Sequence, residues 1–491
     1  MSATHVRAQV ASFAAAPVLA VAAAVAAVLT ALSGRYGFHR DELYFLVAGD
    51  HPAWGYVDQP PLTPLAARLS TAVFGETPAG LRVVATLACA ATVVVVALVA
   101  RELGGGRPAQ VLAAVCTAVS GFVLAVGHLV STATFDVLAW VVVCWILLRL
   151  LRTGDGRLWL AVGAALGVGL ENKYLVALLA VALLAALLAT GPRHVLRGWW
   201  PVAGAAVALA VALPGLWWQA AHGWPQLTVA GGISADDGAE NRVLFVPQQI
   251  LFLSPVFVPV WIAGGLRLWR DPALRWARAF APAYVLLAVL VVASGGKPYY
   301  CLPLLLVLLA AGCVTSVSRP RAMWPAVAVT AVISALISLP VLPPRGVAVV
   351  NAVNKEQGEQ IGWPQLAAAV ADAWSDLPAA DRSRAVVLAQ NYGEAGALAH
   401  YGPARGLPAP YSPHMSFAAW GPPPDSATGP VLLVRQEDAD GVERHFAGCR
   451  QVGRVDNGQH VDNEEQHAAI VLCTGPDEPW SRLWPSLRHY Y

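Results

Sequence analysis

Charged side chains are what this 491-residue chain has least of: Asp, Glu, Lys and Arg together make up 13% of it, against 57% hydrophobic residues. So much apolar surface cannot be hidden in a water-soluble core, so a soluble globular protein is excluded. The net charge of +2 lacks the strongly basic footprint of a nucleic-acid binder. Cysteine is sparse as well, with seven residues and no zinc-ligand spacing among them.

What the chain does have is apolar runs of membrane length. A helix needs about 20 apolar residues to cross roughly 30 Å of hydrocarbon, and runs of that order recur near 14–32, 81–100, 109–127, 133–148, 158–171, 175–190, 199–217, 244–266, 279–293, 300–317 and 323–341. The expectation is a mainly α, polytopic membrane protein with about eleven transmembrane helices. The first run follows two basic residues, as a signal peptide would, but its length favours an uncleaved anchor.

Basic residues give the orientation. Arg101 and Arg107, then Arg149, Arg152 and Arg157, then Arg193 and Arg197, then Arg267, Arg270, Arg275 and Arg278, and finally Arg319 and Arg321 occupy alternate connections. Under the positive-inside rule these are cytoplasmic. Segment 33–80 and everything after about residue 342 then lie outside. The chain divides into a membrane module, 1–341, and an extracytoplasmic C-terminal domain, 342–491.

The unusual polar residues gather on that outer side. The first loop, HRDELYFLVAGDHPAWGYVDQPPL (39–62), holds Arg40, Asp41, Glu42, Asp50 and Asp58. Asp136, the Glu171-Asn172-Lys173-Tyr174 turn, the acidic stretch Asp236, Asp237 and Glu240, and Lys297-Pro298-Tyr299-Tyr300 reach the same side. An ionisable group at membrane depth costs roughly 2.5–3.5 kcal/mol on insertion scales, so Asp136 and Lys173 are expected to face a polar cavity. Ordinary roles compete at each position. Asp41 and Glu42 could cap a helix, Asp58 could open a turn, Lys173 could snorkel to headgroups, and the Trp and Tyr clusters could form an interfacial belt. After Pro60-Pro61, the residues Leu62, Leu65, Leu69 and Val73 recur at helical spacing. They suit an amphipathic helix lying on the membrane surface, or one packed on protein.

The first loop resembles that of the glycosyltransferase 39 group, the dolichyl-phosphate-mannose-protein mannosyltransferase-like members of the GT-C superfamily. The resemblance continues in STATFDVLAW (131–140), ENKYLVALL (171–179), HGWPQL (222–227) and GGKPYYCLPLLLVLLAAG (295–312). In the tail, QNYGEAGALAHYG (390–402) and VDNEEQ (461–466) resemble bacterial members. The resemblance implies transfer of a sugar from a polyprenyl-phosphate carrier to a lipid, glycan or protein acceptor outside the cell membrane. It places the catalytic carboxylate at Asp41, with Glu42 beside it, and a second acidic position at Asp136. Arg40, Asp58, Lys173, Lys297 and Tyr299 are candidates for holding substrate and carrier phosphate. Some relatives carry a Lys in the Pro-containing element of this loop. Here it reads Asp58-Gln59-Pro60, so direct phosphate contact from this turn is not expected.

A hydroxyl acceptor must lose a proton, which Asp41 could accept, whereas a phosphate leaving group needs positive charge rather than an acid. Single displacement would invert the anomeric centre. There is no phosphate-binding glycine loop, so a soluble nucleotide-sugar donor is not suggested. No cofactor is certain; the acidic clusters could bind a divalent cation. A polytopic transporter or a catalytically silent relative is the alternative, although charges at one face fit a transporter poorly, since transporters bind near the midplane.

In the tail, Ala385–Ala389, Val431–Val434 and Ala468–Cys473 read as strands and 363–376 and Gly393–His400 as helices, which makes a small α/β fold. Cys449 and Cys473 alone lie there, where oxidation is permitted, and are expected to pair.

Overall fold

The computed structural model describes residues 10–436 and 441–491. Among the described residues, six helices are apolar and long enough to cross a membrane: Ala15–Leu32, Pro78–Glu102, Thr132–Thr153, Trp200–Ala221, Pro298–Ser316 and Pro320–Ser338. Two bent pairs, Arg107–Ala118 with Gly121–His128 and Gly238–Leu251 with Pro255–Arg270, bring the number to eight if each pair is one span. Leu158–Leu170, Val176–Thr190 and Phe280–Ser294 are apolar but shorter. Each of the eleven expected runs falls on one of these elements.

Two of those runs are not the straight helices expected. The pairs bend by 61° and 73°. At the first break Ser120 is extended and its hydroxyl takes up the Cys116 carbonyl at 2.7 Å. At the second, Ser254 has φ 143° and precedes Pro255, which has no N–H to continue the ladder. Hydropathy averaged over a window passes over such breaks because both flanks are apolar. The helix Pro225–Asp236, just before the second pair, was not anticipated either.

Without a hydrophobic drive between helices in lipid, association depends on close packing. Gly264 and Gly312 show this: a Cβ on either would run into the backbone of the facing helix. The arginine-bearing connections meet at one end of the bundle. There Arg152 Nε donates to Glu102 Oε2 at 2.5 Å, Arg101 Nε to the Ala11 carbonyl at 2.9 Å and Arg267 Nη2 to the Leu103 carbonyl at 2.9 Å.

The first loop and the tail pack together at the other end. The loop forms the helix Arg40–Asp50 and then Leu62–Phe74. The tail has strands β1 (Val386–Ala389), β2 (Val431–Arg435), β3 (Phe446–Ala447), β4 (Arg450–Arg454), β5 (Ala469–Cys473) and β6 (Gly475–Pro476). The order β1-β2-β5-β4 makes one sheet, parallel between β1 and β2 and antiparallel elsewhere; β3 and β6 form a second pair. β4 was not anticipated, since an edge strand reading RQVGR is largely exposed and carries no apolar alternation. Cys449 and Cys473 are bonded to each other. Helices Trp363–Ser375 and Tyr392–Tyr401 cover the sheet, and Leu43, Tyr44 and Phe45 of the loop helix share a core with them.

Helix Leu62–Phe74 is amphipathic in the sense opposite to a soluble protein. Thr63, Pro64, Ala67 and Ser70 face inward, while Leu65, Leu69, Val73 and Phe74 are exposed, Val73 at 71%. None of the described residues covers the stripe, and a bilayer surface suits it. Spin labels at positions 69 and 73, in the full chain in lipid nanodiscs, should relax faster with oxygen than with a water-soluble nickel complex. The reverse preference would place this helix in water.

Candidate functional site

The loop helix is set at its first turn. His39 is the N-cap: its Nδ1 accepts from the Asp41 amide at 3.2 Å, and its own amide donates to Glu42 Oε2 at 2.8 Å, which makes a capping box. Its Nε2 meets Glu356 at 2.9 Å. Glu42 is fully buried and binds Arg82 through two hydrogen bonds, Nε to Oε1 at 2.8 Å and Nη2 to Oε2 at 2.7 Å. The Val130 amide adds a third contact at 3.0 Å, and Arg82 also donates to the carbonyls of Ser33 and Gly37. Glu42 is thereby engaged as a structural anion. Removing one partner of such a buried pair costs about 3–5 kcal/mol.

Asp41, one residue earlier, is half-buried and differently placed. Its Oδ1 accepts from the Tyr392 hydroxyl of the tail at 2.8 Å. Arg40 does not reach into open space. Its guanidinium pairs with Glu464, lies 3.9 Å from Glu359 and stands 5.0 Å from the centre of the Tyr392 ring. Asp58 follows the same pattern, accepting from Tyr44 Oη at 2.5 Å and from Ser416 Oγ at 3.3 Å. Burial pushes its carboxyl up to about 6 against those hydrogen bonds, and the charge of Asp41 adds to the rise.

A second group forms around Lys173. Its Nζ donates to the Tyr299 hydroxyl at 3.2 Å and lies 5.4 and 5.0 Å from the ring centres of Tyr299 and Tyr300. Burial works against the ammonium, but the tyrosines and Asp136 outweigh it and keep it protonated. Asp136 is buried and accepts from Trp140 Nε1 at 2.8 Å. This turn docks directly on the first loop: Thr63 Oγ1 donates to Asn172 Oδ1 at 2.7 Å, and the Leu62 amide to the Glu171 carbonyl at 2.9 Å. Lys297 is part-exposed, 3.9 Å from Asp237, and acts electrostatically on Glu356, the partner of His39. Asp50 lies apart, near Arg68.

The structure therefore brings Arg40, Asp41 and Asp58 together with the tail, and Asp136, Lys173 and Tyr299 together beneath the loop. Sequence reasoning missed Arg82, Tyr44, Glu356, Glu359 and Tyr392. The tail motifs around Tyr392 and Glu464 were visible, but nothing local in them tells what they touch. Among the described residues, no group of three or more His, Cys, Asp or Glu side chains is arranged to hold a metal ion.

Residues 58–218 match the family described as dolichyl-phosphate-mannose-protein mannosyltransferase. No curated protein sequence matches the chain. ArnT from Cupriavidus metallidurans bound to undecaprenyl phosphate is similar in fold, with TM-score 0.60, 15% identity, and 94% of this chain and 99% of that one covered. The apo state of the same enzyme gives 0.59, 14%, 96% and 99%. The arabinofuranosyltransferase AftD from Mycobacteria gives 0.51 and 14%, with 94% of this chain aligned to 40% of that larger one. The resemblance read from the sequence therefore holds, for residues 58–218 in sequence and for nearly the whole chain in fold. The fold is that of the GT-C glycosyltransferases, multi-pass membrane proteins.

Glu359 gives the joint between loop and tail a pH dependence. Burial raises its carboxyl to about 7 against the pull of Arg40, with Glu464 adding to the rise. A folded value above the unfolded one near 4.5 means stability is full below about pH 4.5 and is lost as pH rises from there through about 7. Glu359→Gln should therefore raise Tm at pH 8, by the equivalent of up to about 3 kcal/mol, and change it little at pH 4. Scanning fluorimetry that finds a lower Tm at pH 8 would contradict this.

Proposed function

From this fold and this family match, we propose that the chain transfers a sugar from a polyprenyl-phosphate carrier to an acceptor hydroxyl on the outer side of the cell membrane. The observation that carries the reading is the division of labour among the charged groups. Glu42 is buried in its pair with Arg82, whereas Asp41 on the same rigid turn is half-buried, with its Oδ1 held by Tyr392. Lys173 lies on a turn joined to that loop, and Lys297 acts electrostatically on Glu356, the partner of His39.

In this reading the acceptor oxygen attacks the anomeric carbon and gives its proton to Asp41. The carbon–oxygen bond to the carrier phosphate breaks, and the released phosphate needs no acid because it is already a weak base. Lys173 and Lys297 stabilise its charge, as point-charge donors do. Tyr299, hydrogen-bonded to Lys173, aims that ammonium, and Asp136 balances its charge. Arg40 holds the tail rather than the phosphate. Asp58, hydrogen-bonded to Tyr44 and Ser416, is available to a second sugar hydroxyl. A single displacement inverts the anomeric centre. The basic connections at the opposite end of the bundle support an outward-facing site.

The test is transfer by the purified full chain in nanodiscs, with a panel of radiolabelled undecaprenyl-phosphate sugars and membrane extract as acceptor. The parent should transfer at least one sugar with inversion. Asp41→Asn should lose about 100-fold or more, the usual size of a general-base contribution. No transfer with any donor, retained configuration, or full activity in Asp41→Asn would each contradict the proposal.

A further inference from the structure

We infer that the C-terminal region is a working part of the transfer site, acting through Tyr392 as the residue that positions Asp41. The inference rests on the reading of Asp41 as the base and extends it to a region whose motifs otherwise have no role in the chemistry.

The geometry around Tyr392 is over-determined. Its hydroxyl donates to Asp41 Oδ1 at 2.8 Å. Its ring lies against Tyr44 and His414, with centroids 5.2 Å away in each case, and the Arg40 guanidinium covers it at 5.0 Å. Its amide donates to His414 Nδ1 at 3.3 Å. Behind it, Asn391 and Glu394 form a capping box that fixes the start of helix Tyr392–Tyr401. That helix lies unusually close to the loop helix. A Cβ on Gly396 would come within 2.9 Å of the Leu43 carbonyl carbon, and one on Gly393 within 3.3 Å of Arg40 Cβ.

The second tail motif locks the same joint. Glu464 pairs with Arg40, Asn463 Nδ2 donates to the carbonyls of Gly358 and Ile361, and Asn391 Nδ2 donates to Glu465 at 3.0 Å. Both motifs thus converge on the turn His39-Arg40-Asp41. A general base must be held in hydrogen-bond reach of the proton it takes, in one orientation. The Tyr392 hydroxyl does this by engaging Oδ1, so that Oδ2 is aimed.

Tyr392→Phe keeps the ring, the Arg40 contact and the helix packing, and removes only the hydroxyl. In the labelled-donor assay it should lower kcat about 10-fold or more and leave KM for the donor within about twofold. Incorporating 3-fluorotyrosine at position 392, which keeps the hydroxyl donor, should hold kcat near the parent's value. A merely structural tyrosine would affect Tm and leave kcat unchanged in both variants. Asp41→Asn is run alongside. If the parent is active, Asp41→Asn inactive, and Tyr392→Phe matches the parent in kcat, this inference alone is overturned. If the parent transfers nothing or Asp41→Asn stays active, the reading beneath it falls as well.

Discussion

The buried pair of Glu42 and Arg82 is the interaction on which the half of the molecule that holds the first loop and the tail depends. It joins three pieces of chain that hydropathy alone would leave independent: the first loop, the start of the Pro78–Glu102 span and the turn before Thr132. The pair is tolerable because its hydrogen bonds are complete, with two guanidinium contacts and two amides on Glu42 and two carbonyls on Arg82. A charge left alone there would be far costlier than the pair. With Glu42 fixed, the capped turn that carries Asp41 has little freedom left.

The tail then closes over that turn. Arg40 carries the attachment, held between Glu464 and Glu359 above the Tyr392 ring. Glu394 and Glu465 add a buried carboxyl pair nearby, where burial and the neighbouring carboxylate both push Glu394 well upward. Acid groups thus gather around a cationic anchor, while Asp41 has a tyrosine as its partner. Beneath the loop, Lys173 sits against two tyrosine rings and beside Asp136, a polar pocket at the edge of an otherwise apolar bundle.

Much of this was legible in the sequence, and the limits have physical reasons. Apolar runs located the helices because burial in lipid is a property of composition over about 20 residues. Breaks at Ser120 and at Ser254-Pro255 were not, since they are local backbone events inside apolar windows. β1, β2 and β5 announced themselves as buried apolar strands, whereas β4, an exposed arginine-rich edge, did not. The candidate residues were found as a set, because charge is rare and gathers on one side. Their division into a buried, paired member and a half-buried one was not visible. Asp41 and Glu42 are adjacent and chemically alike, and it is Arg82, 40 residues away, that engages one and not the other. Arg40 was expected to serve phosphate, yet its partners are glutamates from over 300 residues further on.

The proposed transfer depends on where a carrier phosphate would sit. The most direct measurement is an electron cryomicroscopy structure of the full chain in nanodiscs with undecaprenyl phosphate. The phosphate is predicted within hydrogen-bond reach of Lys173 or Lys297, on the side of the bundle that carries Asp41 and Tyr392. A phosphate bound instead among Arg101, Arg152 and Arg267 at the opposite end would contradict it.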